Sequence, residues 1–185
     1  RHCNTASPTQ TGPESGARLF LESHTASDPE QAGPPHLQQL ERQADSSWTL
    51  SKKKVFYIRI DFPDTPGTPF DGPELASLVN VRSSDHIRQM SKGRTWIEAE
   101  VSPDILRMPS HSSNYVVGNH FLQLHEAASQ MATNLYDLSS YDIIGVSLPN
   151  VGFPFSGRAG GRVQLLQGRV REKVVVHEFG HNYGL

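Results

Sequence analysis

The sequence predicts an α/β chain, with one twisted mixed sheet of about four strands and helices packed over it. Three observations carry that prediction. Phe56, Ile58, Ile60 and Phe62 alternate with polar or differently directed neighbours, and so do Ile97, Ala99 and Val101, in the two-residue period of a strand. Residues 141–148 are almost continuously apolar, as a strand buried on both faces is. Between these strands Phe121, Leu124, Ala128, Met131 and Leu135 recur at three- and four-residue steps, the spacing of an amphipathic helix. Strands that alternate with helices favour a layered sheet.

At 185 residues, one domain is the default. Residues 1–47 differ from the rest. They are rich in Ser, Thr, Pro, Gly and Gln, and carry three arginines against six carboxylates, a local charge of −3. A segment so poor in apolar side chains buries too little surface to offset its ordering entropy. It is expected to be a disordered leader, a linker or the remnant of a pro-region, with a short helix at 35–44 where Leu37, Leu40 and Ala44 stand at helical spacing. The folded domain is expected over 48–185.

In order along that domain, Lys52-Lys53-Lys54 reads as the solvated start of the first strand, 55–62. Pro63, Asp64, Pro66, Gly67 and Pro69 end it in a loop. Asp71-Gly72-Pro73-Glu74 reads as a helix start, with Pro73 near the first helical position. Leu75, Leu78 and Val79 supply its apolar stripe. Ser83-Ser84-Asp85 is expected to interrupt it, and a second helix to carry Ile87 and Met90 inward before Gly93 caps it. The strand that begins at Thr95 is expected to stop at Pro103. Residues 108–114 read as a loop. His120 and His125, on the long amphipathic helix, are five apart and share no face, so they are expected at the surface. Pro149 closes the buried strand. Residues 152–161 read as a flexible glycine loop; no Gly-Lys-Ser/Thr follows it, so a phosphate-cradling role has little support. Val163-Gln164-Leu165-Leu166 reads as a short strand, and the last helix is expected to start near Arg171.

Composition excludes several functions. The formal charge of −2 comes with no basic stripe for nucleic acid and no polybasic cluster for anionic lipid. No run of 18 apolar residues exists to span a membrane. The chain opens with Arg1 and no apolar signal-type segment follows, which leaves a processed leader or an internal start equally open. Cys3 is the only cysteine, so no disulfide forms within the chain.

The chemistry concentrates in His177-Glu178-Phe179-Gly180-His181-Asn182-Tyr183-Gly184-Leu185, which contains H-E-x-x-H. Positions four apart on a helix lie one turn apart on one face. His177 and His181 are therefore candidates to aim two imidazole nitrogens at one Zn²⁺ ion. Glu178 sits about 100° round the helix. From there it can reach a water beside such an ion without ligating it, as a general base must. Val174-Val175-Val176 leads in, and Phe179 points away from the histidines, so one side faces a core and the other a cleft. Gly184 fits the left-handed position that ends a helix.

This segment resembles the metzincin clan of zinc peptidases, whose signature is H-E-x-x-H-x-x-G-x-x-H; His177, Glu178, His181 and Gly184 match it. Tyr57-Ile58-Arg59-Ile60-Asp61-Phe62, and the passage from Met90-Ser91-Lys92-Gly93-Arg94-Thr95 to Val101-Ser102-Pro103, are similar to the corresponding steps of gametolysin-like and immune-inhibitor-like secreted bacterial peptidases. The resemblance implies a zincin-like upper half-domain, a zinc cofactor, a polypeptide substrate and a secreted protein. It implies that Arg162, Val163, Gln164, Leu165 and Leu166 form the sheet edge above the cleft, where an extended substrate pairs. It also places a third histidine three residues after Gly184 and a methionine turn further on. Both positions fall past Leu185, so a domain truncated at its C-terminal side is expected. Two further readings stay open: a non-catalytic fragment or pseudoenzyme with weak or no metal binding, and a thermolysin-like site with a distant glutamate ligand. For Cys3, a thiolate that blocks the zinc position competes with a free thiol on a tail; the lack of ligand spacing around it favours the free thiol.

Overall fold

The first strand organises the sheet. β1 (Ser51–Asp61) is flanked on both sides, by β2 (Thr95–Arg107) and by β3 (Ile143–Leu148), both parallel to it. The computed structural model describes residues 47–67 and 69–185; the expectations for the leader, for a helix at 35–44 and for Cys3 lie outside the described residues. β5 (Val163–Gln167) adds parallel to β3, and β4 (Gly157–Gly160) adds antiparallel to β5. The five-stranded mixed sheet has the order β2-β1-β3-β5-β4. The α/β class and the four expected strands are thus present, together with a fifth inside the expected glycine loop.

Because β1 is central, both of its faces are buried. Val55 and Tyr57 enter one core, with Leu75, Leu78, Val79, Ile87, Ile143, Leu166, Val175 and Phe179. Phe56, Ile58, Ile60 and Phe62 enter the other, with Leu124, Ala128, Ala132, Val146 and Leu165. Each fully buried Leu, Ile or Phe here contributes about 1.5–3 kcal/mol of transfer free energy. The first core is covered by α1 (Gly72–Ser77), a π-helical stretch (Leu78–Ser83), α2 (Ser84–Met90) and the last helix, α5 (Glu172–Asn182). The second is covered by α4 (Phe121–Ala132), preceded by the short α3 (Ser113–Val116). None of the described helices is long and apolar enough to cross a membrane.

Several local expectations change. Lys53 is not solvated: it is 4% exposed, donates to Leu50 O at 2.7 Å and lies 5.1 Å from the Trp48 ring. Ser83 and Ser84 do not break the helix. Both are buried, and the Ser84 hydroxyl is engaged with the backbone of Ile97, so the turn is held by tertiary contact against its propensity. Ile87 is buried as expected, but Met90, where α2 ends, is 62% exposed. β2 does not stop at Pro103. It bulges there, with Ser102 Oγ accepting from Arg59 N–H at 2.9 Å and donating to Asp104 O at 2.8 Å, and pairing resumes at Ile105. Proline is tolerated because β2 is an edge strand. The expected loop at 108–114 contains the start of α3. α4 ends at Ala132, which leaves Leu135 exposed. His125 is not at the surface: it is 7% exposed, and its Nε2–H donates to Ile144 O at 2.8 Å.

Candidate functional site

α5 presents two unlike faces. Val175 and Phe179, both fully buried, fix it against the sheet. His177 and His181 are exposed on the opposite face. Their rings stand edge to face, with centroids 4.6 Å apart, and their Nε2 atoms converge to 3.1 Å. The Nδ1–H of His181 donates to Leu185 O at 3.1 Å. That bond fixes the tautomer and leaves Nε2 of His181 as the acceptor toward His177.

The helix end that places His181 is built from backbone. Gly184 takes φ +84°, Gly184 N–H donates to His181 O at 3.1 Å, and Leu185 N–H donates to Gly180 O at 3.0 Å. This is the Schellman pattern, and Gly184 occupies the left-handed position expected of it. The core side of the same turn is tied down by a buried polar chain. Asn182, 1% exposed, donates to Gly161 O and Val163 O, both at 3.0 Å, and its carbonyl accepts from Trp48 Nε1–H at 2.8 Å. Gln164 bridges Asn182 to the Tyr57 hydroxyl. The Tyr57 ring in turn packs on Gly145, where a Cβ would clash with it. Sequence reasoning missed this chain. Its one legible signal is a polar residue, Asn182, at a core-facing position of α5, three residues past Phe179.

Glu178 lies apart from both faces. It is 4% exposed, and its Oε2 has no hydrogen-bond partner. A Cβ on Gly157, at the start of β4, would come within 2.7 Å of Glu178 Cγ and Oε1. The carboxylate therefore occupies the space a side chain at 157 would fill. Burial pushes its pKa above the usual carboxylate range, while His177, His181 and Arg158 pull the other way. The sequence placed Glu178 beside the histidines in an open cleft; the structure keeps it near them but tucks it under the edge strand.

The sheet edge beside α5 is β4, not the strand expected there. Val163, Gln164, Leu165 and Leu166 lie in β5, paired on one side to β3 and on the other to β4, with Gln164, Leu165 and Leu166 buried. Arg162 precedes β5 and is exposed, 5.0 Å over the Trp48 ring. A strand with both neighbours in place has no free ladder to offer. β4 went unseen because Gly157-Arg158-Ala159-Gly160 has no apolar alternation. No family model matches the chain, and no curated protein matches it.

Two nitrogens held tetrahedrally at about 2.0–2.1 Å from one zinc ion lie about 3.3 Å apart. The 3.1 Å between the two Nε2 atoms fits such a pair. Among the described residues, no set of three His, Cys, Asp or Glu side chains forms a complete metal site. The arrangement thus places two imidazole nitrogens side by side on an exposed helix face, with a shielded carboxylate, its Oε2 unpartnered, on the residue next to His177.

Proposed function

We propose that this chain is the zincin-like half-domain of a metzincin-type, secreted zinc endopeptidase, and that its substrate is an extended polypeptide laid along β4. The observation that carries the proposal is the convergence of the His177 and His181 Nε2 atoms at 3.1 Å, beside a buried Glu178 whose Oε2 lacks a partner. The resemblance of His177, Glu178, His181 and Gly184 to the metzincin signature supports it.

In this reading His177 and His181 hold the metal through Nε2, and Leu185 O keeps the His181 proton on Nδ1, away from the ligating atom. Zinc, when bound, supplies Lewis-acid polarisation of the scissile carbonyl and lowers the pKa of water toward 7. Glu178 takes a proton from the attacking water on Oε2 and passes it to the leaving amine. Its raised pKa brings its proton affinity nearer to a neutral working pH, where general base and general acid roles are both served. Gly157 leaves room for the carboxylate under the edge strand.

Glu178→Gln tests the assignment. The variant is expected to retain zinc and to lose about 10²-fold or more of peptide cleavage, the usual contribution of a general base. Cleavage at the wild-type rate would remove Glu178 from the chemistry and the proposal with it.

The incomplete ligand set among the described residues favours a second reading, a fragment or pseudoenzyme that binds zinc weakly. Dialysis separates the two. Retained zinc with chelator-sensitive cleavage supports the enzyme; no retained zinc and no cleavage supports the fragment.

A further inference from the structure

Resting on that reading, we propose that Arg158 selects the substrate: it makes the site prefer a polypeptide with Asp or Glu at the position that lies opposite Arg158 when the substrate pairs with β4.

The geometry begins with the ladder. Gln167 N–H donates to Ser156 O at 2.9 Å, and Arg158 faces Leu165 in the register. Backbone groups alternate direction along an antiparallel pair. Ser156, Arg158 and Gly160 therefore turn their N–H and C=O toward β5, and Gly157 and Ala159 turn theirs to the open side. Among the described residues nothing bonds to that side of Gly157 or Ala159. An extended peptide added antiparallel would bond to those two residues. The peptide residue between them would then face Arg158 in the non-hydrogen-bonded position, where cross-strand side chains approach most closely.

Arg158 is the only long side chain on β4, and it is held rather than loose. Its guanidinium lies 4.2 Å from the Phe121 ring centroid and 5.7 Å from that of Phe155. Those two rings meet edge to face at 6.3 Å, and Phe155 stacks on Phe153 at 5.0 Å. An aromatic face fixes a guanidinium while leaving its N–H edge free to donate, and a carboxylate accepts from that edge in bidentate fashion. Among the described residues no carboxylate forms an ion pair with Arg158, although it is exposed. Gly157 and Arg158 are adjacent, so the acidic position lies within one residue of the backbone that covers Glu178.

The test uses the full chain loaded with zinc and three pentapeptides that differ only in a central Glu, Gln or Lys. Cleavage is read as a ratio of kcat/KM values. Equilibrium affinity is read by fluorescence anisotropy on the Glu178→Gln chain, so that binding is measured whether or not anything is cut. The expected Glu-over-Gln ratio is about three- to fivefold, the strength of a cross-strand charge pair. It should fall to about one in Arg158→Ala, stay partly in Arg158→Lys, and invert toward the Lys peptide in Arg158→Glu. A Glu-over-Gln ratio that is the same in all variants, or no binding by any peptide, overturns the role given to Arg158. An Arg158-dependent preference in affinity with no cleavage by the zinc-loaded chain keeps that role and overturns the peptidase reading.

Discussion

The two edges of the sheet are finished in opposite ways. β2 is an edge whose first half has its outward backbone satisfied by side chains from the segment that packs beside it. Ser91 Oγ accepts from Thr95 N–H and donates to Thr95 O, both at 3.1 Å. Ser84 Oγ accepts from Ile97 N–H at 3.1 Å and donates to Ile97 O at 2.8 Å. Asn80 accepts from Ala99 N–H at 2.7 Å and donates to Ala99 O at 2.9 Å. Three polar side chains thus close the outward groups of Thr95, Ile97 and Ala99, and beyond them Pro103 removes a donor and the bulge interrupts the regular ladder. β4 is short, glycine-rich and, among the described residues, unclosed on its outer side. A free strand edge risks pairing with other chains, so proteins blunt one that has no use. The contrast teaches that, among the described residues, the open edge is the one beside His177, Glu178 and His181, which is why the proposed substrate is laid along it.

Substitutions at the two edges should therefore have different consequences. The largest effect is expected from Gly157→Val. Its Cβ would displace the Glu178 carboxylate, and if Glu178 is the general base as proposed, displacement by about 1 Å costs about 10²-fold in rate. Circular dichroism should meanwhile report an intact fold. Glu98→Ala on β2, which removes only an exposed pair with Lys52, should leave cleavage unchanged. Equal losses of activity in the two variants would break the contrast. Next in size is Asn80→Ala, which leaves the Ala99 N–H and C=O without their partner. A loss of about 1–3 kcal/mol in urea unfolding is expected, with unchanged cleavage per folded molecule. A loss of activity with no loss of stability would show that the closure of β2 serves the site and not the fold.

The smallest effect is a dependence on pH. The clamps on β2 contain no ionisable group, whereas the link from α4 to β3 runs through His125. Burial lowers the His125 pKa below its ordinary 6.5, against the opposing pull of Ile144 O and Glu126. The unfolded chain then binds more protons than the folded one as pH falls below about 6.5. The contribution of neutral His125 is complete above that pH and is lost on acidification toward the folded-state pKa. Urea midpoints at pH 7.5 and 5.5 should differ less in His125→Gln than in the wild type. An unchanged difference would place the acid sensitivity elsewhere.

What the sequence made legible follows from how local each signal is. The pairing of His177 with His181 needs only the helical repeat, and the turn at Gly184 needs only backbone conformation, so both were readable. The alternation in 55–62 and the apolar run at 141–148 reported strands because side-chain burial in them is nearly complete. β4 was invisible because it is held by backbone pairing to β5 and by the space it leaves for Glu178, neither of which requires a hydrophobic pattern. Its absence from the pattern shifts the expected edge inward by one strand: Arg162 to Leu166 reads as outermost, whereas β4 lies beyond β5. Lys53, Ser84 and His125 are polar, and in the sequence alone they read as exposed or disruptive. Each is buried with its hydrogen bonds made to backbone across the fold, which composition and spacing do not encode.

The central claim is that His177 and His181 hold one zinc ion as a pair. It is tested most directly by elemental analysis of the dialysed chain together with His177→Ala and His181→Ala. About one zinc per wild-type chain, lost in either single variant while circular dichroism stays the same, is the predicted result. Zinc retained in both variants, or absent from the wild type even at saturating metal, would contradict it.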